Sequence, residues 1–202
     1  MVNMKKISII ALTVLTLGMT SCDMDKMPYD AIPTEEALTT IVGFEEARAG
    51  IYSVYLGLTG GSYVLVPEVQ ADAFNAVADF SNKYGELHRW TFESTNSAIE
   101  TIWANCYAAI GRANFFIDGV DKIDENPEIE LTEIQRKQIN VYEGEAYFTR
   151  AYCYFYLATL FCRDYNVATA SSTQGLPLQV KYEPKLSATQ YPGRSSLEDT
   201  YK

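Results

Sequence analysis

Histidine is nearly absent from this sequence, and the motifs of common hydrolytic and metal sites are missing as well. The chain has one histidine, His88, and four cysteines without a C-x-x-C pair, so a zinc site built from His and Cys ligands is not expected. It contains no G-x-S-x-G, no H-E-x-x-H and no Cys/His pair. The acidic stretch 121–130 lacks the glycine and the spaced oxygen ligands of a calcium loop. The sequence therefore predicts a protein that is not an enzyme and has no cofactor or metal.

Basic residues are also scarce. The chain has 16 Lys and Arg against 26 Asp and Glu, which gives a formal net charge of −10. Nucleic-acid binding needs a basic patch, and docking on anionic lipid needs a basic cluster, so both are disfavoured. What the chain does have is apolar and aromatic: 48% of its residues are hydrophobic, including 15 Tyr and 9 Phe. This composition is sufficient for a sizeable folded core.

The first long apolar run, Ile7 to Leu17, is too short to span a bilayer, which takes about 20 residues. It follows Lys5 and Lys6 and has the length of a signal-peptide core. The small residues that then lead to Cys22 resemble a bacterial lipobox, with Met19 in place of the usual aliphatic residue. This resemblance implies cleavage after Ser21, lipidation of Cys22 and anchoring to membrane lipid by acyl chains.

The organisation expected from these signals is a signal peptide at 1–21, a lipidated tether at 22–33 and a helical domain at 34–202. The tether has two prolines and four charges, which favour an extended segment. The remaining cysteines, Cys106, Cys153 and Cys162, are expected as buried free thiols, and a bridge from Cys106 to one of the others stays open. Cys153 and Cys162 cannot bridge each other because they point to opposite sides of one helix.

Hydrophobic periodicity predicts an all-α domain. Apolar residues recur at helical spacing in 44–58, in 97–123 and from Thr132 through the stretch 142–165. The last of these is apolar on so much of its circumference that we expect it to be buried among other helices. Residues 62–92 lack such a pattern and are predicted to be mostly a long loop, with a helical turn within 67–78. An extended segment is expected at 175–183, and a capping box at Ser195 or Ser196 announces a further helix.

Four motifs in a fixed order carry a family resemblance. They are W-x3-Y-x2-I-x-R-A-N at 103–114, G-E-A-Y-F-x-R-A-Y-x-Y-F at 144–155, G-L-P-L at 175–178 and R-S-S-L-E-D-T-Y at 194–201. Together with the lipobox, they resemble the N-terminal part of SusD/RagB outer-membrane nutrient-binding lipoproteins of the Bacteroidetes. Members of that family are much longer, so the chain is expected to be truncated at its C-terminus.

The resemblance implies tetratricopeptide-like helix pairs with long irregular loops, attachment to the outer membrane and exposure at the cell surface. It also implies a SusC-type TonB-dependent transporter as partner and an oligosaccharide as ligand. A peptide ligand is one alternative, because some members bind peptides. A helical-repeat scaffold with only protein-contact function is the other.

Sugar binding needs an aromatic surface and planar hydrogen-bonding groups, and the family's ligand loops commonly lie between the first helix and the Trp-bearing helix. The candidate ligand residues in that loop are Asn75, Asp79, Phe80, Asn82, Tyr84 and His88. Trp90 is interpreted as a structural aromatic leading into the next helix. Trp103, Tyr107, Tyr152 and Phe155 are expected in the core. Arg150 lies in apolar sequence and is expected to find a cross-helix acid or a backbone carbonyl.

Overall fold

The computed structural model describes residues 36–77, 84–126, 129–184 and 191–202. The chain divides into two units, Met1–Glu36 and Ala37–Lys202, and the architecture below is that of the second. Cys22, the signal peptide and the tether lie outside the described residues. The elements are α1 (Ile41–Gly57), α2 (Ser62–Gln70), α3 (Gly85–His88), α4 (Ser97–Glu125), α5 (Glu133–Phe161), β1 (Gln174–Pro177), β2 (Arg194–Ser196) and α6 (Leu197–Tyr201).

Two long helices, α4 and α5, form the centre of the fold. Each has 29 residues and is therefore about 44 Å long. Asn96 caps α4 by accepting hydrogen bonds from the backbone of Ala98 and Ile99. Thr132 caps α5 in a capping box with Gln135, as its position before the apolar pattern predicts. A short connection between long helices produces a hairpin, so the two apolar faces meet along their length.

The core consists of two clusters, one on each half of this hairpin. The first joins the N-terminal half of α4 to the C-terminal half of α5, and α2 adds Tyr63, Val66 and Val69 to it. The second joins the opposite halves, and α1 adds Phe44 and Ile51. The Phe44 and Phe116 rings meet edge to face with centroids 5.2 Å apart. Burying one such side chain contributes about 1.5–3 kcal/mol to the stability of the fold. α1 and α2 therefore stabilise opposite ends of the hairpin by packing on it.

The segment 62–92 is more regular than predicted. Helix α2 starts at Ser62, before Pro67, and ends at Gln70, whereas the sequence prediction placed a helical turn within 67–78. Tyr63, Val66 and Val69 recur at helical spacing and are buried, and Pro67 does not interrupt the helix. Nine residues are too few for a clear periodic signal, which is why packing rather than pattern determines this helix.

Helix α5 is less buried than its composition suggests. Phe155, predicted in the core, is 59% exposed, and Phe148 is 61% exposed. That prediction is wrong because α4 and α1 pack against part of the circumference of α5 and leave another apolar face open. Trp103, Tyr107 and Tyr152 are partly buried. The Trp103 ring packs at 5.0 Å from both Tyr107 and Phe161.

An extended segment, residues 177–182, crosses the α4–α5 hairpin and is held by side chains of both helices. Asn114 is fully buried, and its Nδ2 donates to the carbonyls of Gln179 at 2.8 Å and Lys181 at 3.2 Å. Its Oδ1 accepts a hydrogen bond of 2.9 Å from Arg150, which also donates to the carbonyl of Val180. Arg150 therefore has a backbone carbonyl and a side-chain amide as partners. The carbonyl is one of the two partner types that the sequence predicts.

Three more side chains attach the same segment. The hydroxyl of Tyr107 donates to the carbonyl of Pro177 at 2.8 Å. The Tyr154 hydroxyl both donates to the carbonyl and accepts from the N–H of Gln179. The Asp118 carboxylate accepts the N–H of Tyr182 at 2.7 Å. The crossing segment thus obtains from side chains the backbone hydrogen bonds that a sheet would otherwise supply.

The C-terminal residues form a small antiparallel sheet with a helical turn. β1 pairs with β2, and Ser196 caps α6 by accepting the N–H of Asp199. A Cβ on Gly175 would overlap the backbone of Ser196 and the side chain of Thr200, so only glycine fits there. Cys106, Cys153 and Cys162 are free thiols. A hydrogen bond from Cys153 lowers the pKa of Cys106, which lies opposite it across the hairpin.

Candidate functional site

The candidate site predicted from the sequence lies in the segment between α2 and α4. Asp79, Phe80 and Asn82 lie outside the described residues. Asn75, Tyr84 and His88 are described, so the geometry available is that of residues 71–77 and 84–92. Asn75 follows α2 and is exposed.

Tyr84 and His88 belong to one helical turn and both connect it to α2. The Tyr84 hydroxyl lies 3.3 Å from the hydroxyl of Ser62. The His88 Nδ1 atom lies 3.2 Å from the carbonyl of Val69, which can only accept, so this contact places a proton on Nδ1. The same nitrogen lies 3.5 Å from the Asp72 carboxylate. Both residues therefore position α3 on α2, and His88 is partly buried.

Trp90 is an exposed aromatic residue of this segment. Its side chain is 64% exposed, whereas a structural role between helices was predicted. Its ring centroid lies 6.1 Å from that of Phe92, which packs against the core. The signal was the alternation of polar and aromatic residues in Arg89–Phe92, which in an irregular segment does not show which aromatic side chain is buried.

The backbone of this segment is strained. Within the described ranges, the non-glycine residues with positive φ are Asp72, Tyr84 and Trp90, at 58°, 61° and 56°. The left-handed conformation costs an L-residue roughly 1–2 kcal/mol. Such residues cluster at ligand sites, where the surrounding structure maintains a backbone shape that presents particular side chains. Here the strain occurs at Trp90 itself and at the turns that connect α2 to α3.

A polar cavity of about 410 Å³ borders the same segment. It is lined by Glu86, Thr91, Glu93, Thr95, Asn96 and Ser97. The Asn96 oxygen is occupied by the N-cap of α4, while the carboxylates and hydroxyls remain available as hydrogen-bonding groups. The segment therefore carries both an exposed aromatic ring and a cavity lined by carboxylates and hydroxyls, the two kinds of group that bind a ligand with apolar faces and many hydroxyls.

Metal ligands are not clustered here. In the part of the chain that the structure describes, no three His, Cys, Asp or Glu residues are arranged to hold a metal ion. The His88–Asp72 contact is a pair, and its third neighbour is a backbone carbonyl.

Comparison with known families identifies the fold's relatives. A SusD-like family, described as "Starch-binding associating with outer membrane", matches residues 26–202. The chain belongs to this SusD-like family. The prediction of an all-α, SusD-like fold is thereby confirmed.

Two relatives illustrate the match. SusD-like protein P2 of Formosa agariphila is 26% identical over 212 residues, covering 98% of this chain and 39% of that protein. The crystal structure of a SusD superfamily protein from Bacteroides fragilis superposes with a TM-score of 0.62 at 18% identity, covering 82% of this chain and 37% of that one. This chain therefore spans less than half the length of both relatives.

The SusD-like motifs lie away from the candidate site. Trp103, Tyr107 and Asn114 are on α4, and Arg150 and Tyr154 are on α5. Tyr107, Asn114, Arg150 and Tyr154 bond the crossing segment, and Trp103 packs on Phe161. These motif residues accordingly have structural roles in the part of the chain that the structure describes.

Proposed function

We propose that this chain is part of a non-catalytic outer-membrane lipoprotein that binds an oligosaccharide and delivers it to a SusC-type TonB-dependent transporter. Membership of a family described as starch-binding and associating with the outer membrane supports the ligand class and the location. The single observation that carries the binding proposal is the exposed indole of Trp90, held by a left-handed backbone in the segment that also contributes Glu86, Thr91 and Glu93 to a polar cavity.

The chemistry of a sugar fits this arrangement. A pyranose ring has an apolar face of C–H groups and a rim of hydroxyls. The Trp90 indole offers a flat apolar surface for the first, and the side chains of Glu86, Thr91 and Glu93 offer hydrogen bonds for the second. Asn75, Asp79, Phe80, Asn82, Tyr84 and His88 stay in the proposal as the ligand-binding residues predicted from the sequence, and Tyr84 and His88 also connect α3 to α2.

A glycan-binding panel tests the proposal. The full chain, purified in a non-ionic detergent, is titrated with neutral and acidic oligosaccharides by calorimetry. We expect Trp90→Ala to weaken binding of the best ligand at least tenfold, because a central aromatic contact is worth more than about 1.4 kcal/mol. Tyr191→Ala is the matched control, since Tyr191 is 65% exposed and lies outside the segment. Full affinity in Trp90→Ala would sink the assignment of this site.

The alternatives within the family are separated by the same panel. A member that binds peptides would prefer a peptide library over every glycan, and a scaffold with only protein contacts would bind neither. The Phe80→Ala variant tests the loop as the sequence predicts it. Retained affinity in that variant would remove Phe80 from the ligand set.

Anchoring and partnership are tested separately. If Cys22 is lipidated, the processed chain has the mass of residues 22–202 plus acyl chains and fractionates with outer membranes. Cys22→Ser should release it in soluble form, or leave it uncleaved. A TonB-dependent barrel should co-purify with the anchored chain, and its absence from such preparations would contradict the proposed delivery step.

A further inference from the structure

A second cavity, distinct from the Trp90 segment, lies where α5 ends beside the two-stranded sheet. It has a volume of about 570 Å³. Its lining is Leu160, Phe161, Cys162, Arg163, Ser172, Thr173, Gln174 and Arg194. Two guanidinium groups thus face one concavity in a chain whose net charge is −10.

These two arginines are chemically available. The side chains of Arg163 and Arg194 make no ion pair within 4.0 Å and no hydrogen bond to any described residue. The other arginines of α1, α4 and α5 contact carboxylates, carbonyls, a hydroxyl or an amide within the protein. They are Arg48, Arg112, Arg136 and Arg150. These four arginines each have at least one partner within the protein, whereas the side chains of the two that line the cavity have none among the described residues.

The backbone fixes both arginines at the cavity. Cys162 ends α5 in an extended conformation, with φ −115° and ψ 170°, so the chain turns out of the helix at Arg163. Arg194 begins β2 and is paired with Pro177 of β1. The positive charge of Arg194 reaches the cavity wall, since it opposes the increase in pKa that burial causes for the Cys162 thiol.

Nearby acids do not neutralise this charge by direct contact. Asp164 is adjacent to Arg163 in sequence but makes no ion pair with it. Glu198 and Asp199 lie on α6 and are paired with Lys202, at 2.8 Å and 4.0 Å. An anion in the cavity would therefore meet two unpaired guanidinium groups.

Two hydroxyl groups line the cavity beside the arginines. Ser172 Oγ and Thr173 Oγ1 both donate their protons to the carbonyl of Thr169, at 3.0 Å and 2.9 Å. The same carbonyl also accepts the backbone N–H groups of Ser172 and Thr173, so these four donors share its two lone pairs. Whichever way their protons point, the two hydroxyl oxygens can accept hydrogen bonds, which suits a ligand that carries hydroxyl donors beside its anionic group.

We propose that Arg163 and Arg194 bind the carboxylate of an acidic saccharide, with Ser172 and Thr173 accepting hydrogen bonds from its hydroxyls. Guanidinium groups match carboxylate geometry with paired N–H donors. The inference rests on the proposed function only in taking the ligand to be a saccharide, and it adds a uronate-type sugar as the class recognised at this second cavity.

The test uses the full chain in a non-ionic detergent with three probes: trigalacturonate, neutral maltotriose and inorganic phosphate. The variant is Arg163→Gln with Arg194→Gln. Its control is Lys122→Gln with Lys137→Gln, which removes the same charge from exposed positions on α4 and α5. We expect the arginine variant to weaken trigalacturonate binding at least tenfold, and the parent affinity to fall as salt rises. The lysine variant should keep the parent affinity.

The outcomes separate this inference from the Trp90 proposal. Trigalacturonate affinity that falls in the arginine variant but not in Trp90→Ala supports the second cavity, whether or not maltotriose binds. Equal affinity for trigalacturonate in the parent and the arginine variant overturns it. Inorganic phosphate that binds as tightly as trigalacturonate also overturns it, because the hydroxyl contacts would then contribute nothing.

Discussion

Asn114 provides the sharpest test of how the fold is held together. It is fully buried and makes three hydrogen bonds, of 2.8 Å to the carbonyl of Gln179, 3.2 Å to the carbonyl of Lys181 and 2.9 Å to Arg150. Each is worth about 1 kcal/mol net, and a partner left buried without a bond costs about 1–3 kcal/mol. Asn114→Ala removes all three bonds. Because the crossing segment can move outward and rehydrate, we expect a loss near the lower bound, about 3 kcal/mol.

Thermal unfolding of the full chain in detergent, followed by circular dichroism, measures this loss. A change of 1 kcal/mol moves the melting temperature by about 2–4 °C in a domain of this size, so Asn114→Ala should lower it by about 6–12 °C. Asn140→Ala is the matched control, because Asn140 is an exposed asparagine on α5. It should change stability by less than about 0.5 kcal/mol.

Hydrogen exchange then locates the effect. The amides of residues 178–182, including the Gln179 and Tyr182 N–H groups, should lose protection first in Asn114→Ala, while the α4–α5 hairpin keeps its own. A melting temperature within about 2 °C of the parent would refute the bonding role of Asn114. So would a loss of protection spread evenly over the chain.

Three further predictions concern stability. Burial, and next the charge of Asp121, raises the pKa of Glu143, so its ionised form disfavours folding. Glu143→Gln should therefore raise the melting temperature at pH 7, and the gain should vanish toward about pH 4, where the unfolded carboxyl is also neutral. The exposed control Glu46→Gln should show no such gain. Gly175→Ala should destabilise the sheet, because the new methyl would overlap the backbone of β2. Gly50→Ala should stabilise the protein by up to about 1 kcal/mol, since nothing lies within 4 Å of a Cβ there. A pH-independent effect of Glu143→Gln, or equal effects of the two glycine substitutions, would contradict the packing described.

The helical hairpin could be predicted from the sequence because its signals are long and local. The apolar repeat extends over most of α4 and α5, and the caps at Asn96 and Thr132 depend on residues within three positions. The helix start at Ser196 is local in the same way. Short α2 gave no such signal, since nine residues contain too few turns.

Exposure could not be predicted in the same way. Periodicity shows which residues share a face but not whether another element covers that face, so Phe155 was wrongly placed in the core. The exposure of Trp90 depends on its left-handed backbone conformation in an irregular segment. The sequence does not reveal that conformation, because only glycine commonly adopts it. Arg163 and Arg194 line one cavity because β2 lies beside the end of α5. The sequence does not show this proximity, since 30 residues separate the two arginines.

Fluorescence of Trp90 directly tests whether its indole contacts the oligosaccharide. Replacing Trp103 by Phe leaves Trp90 as the single tryptophan, because the sequence has two. The full chain of this variant is titrated with the best oligosaccharide while indole emission and acrylamide quenching are recorded. We expect emission to shift to shorter wavelength and quenching to decrease, with the same midpoint as the calorimetric titration. Saturable oligosaccharide binding that leaves the Trp90 emission and quenching unchanged would contradict it.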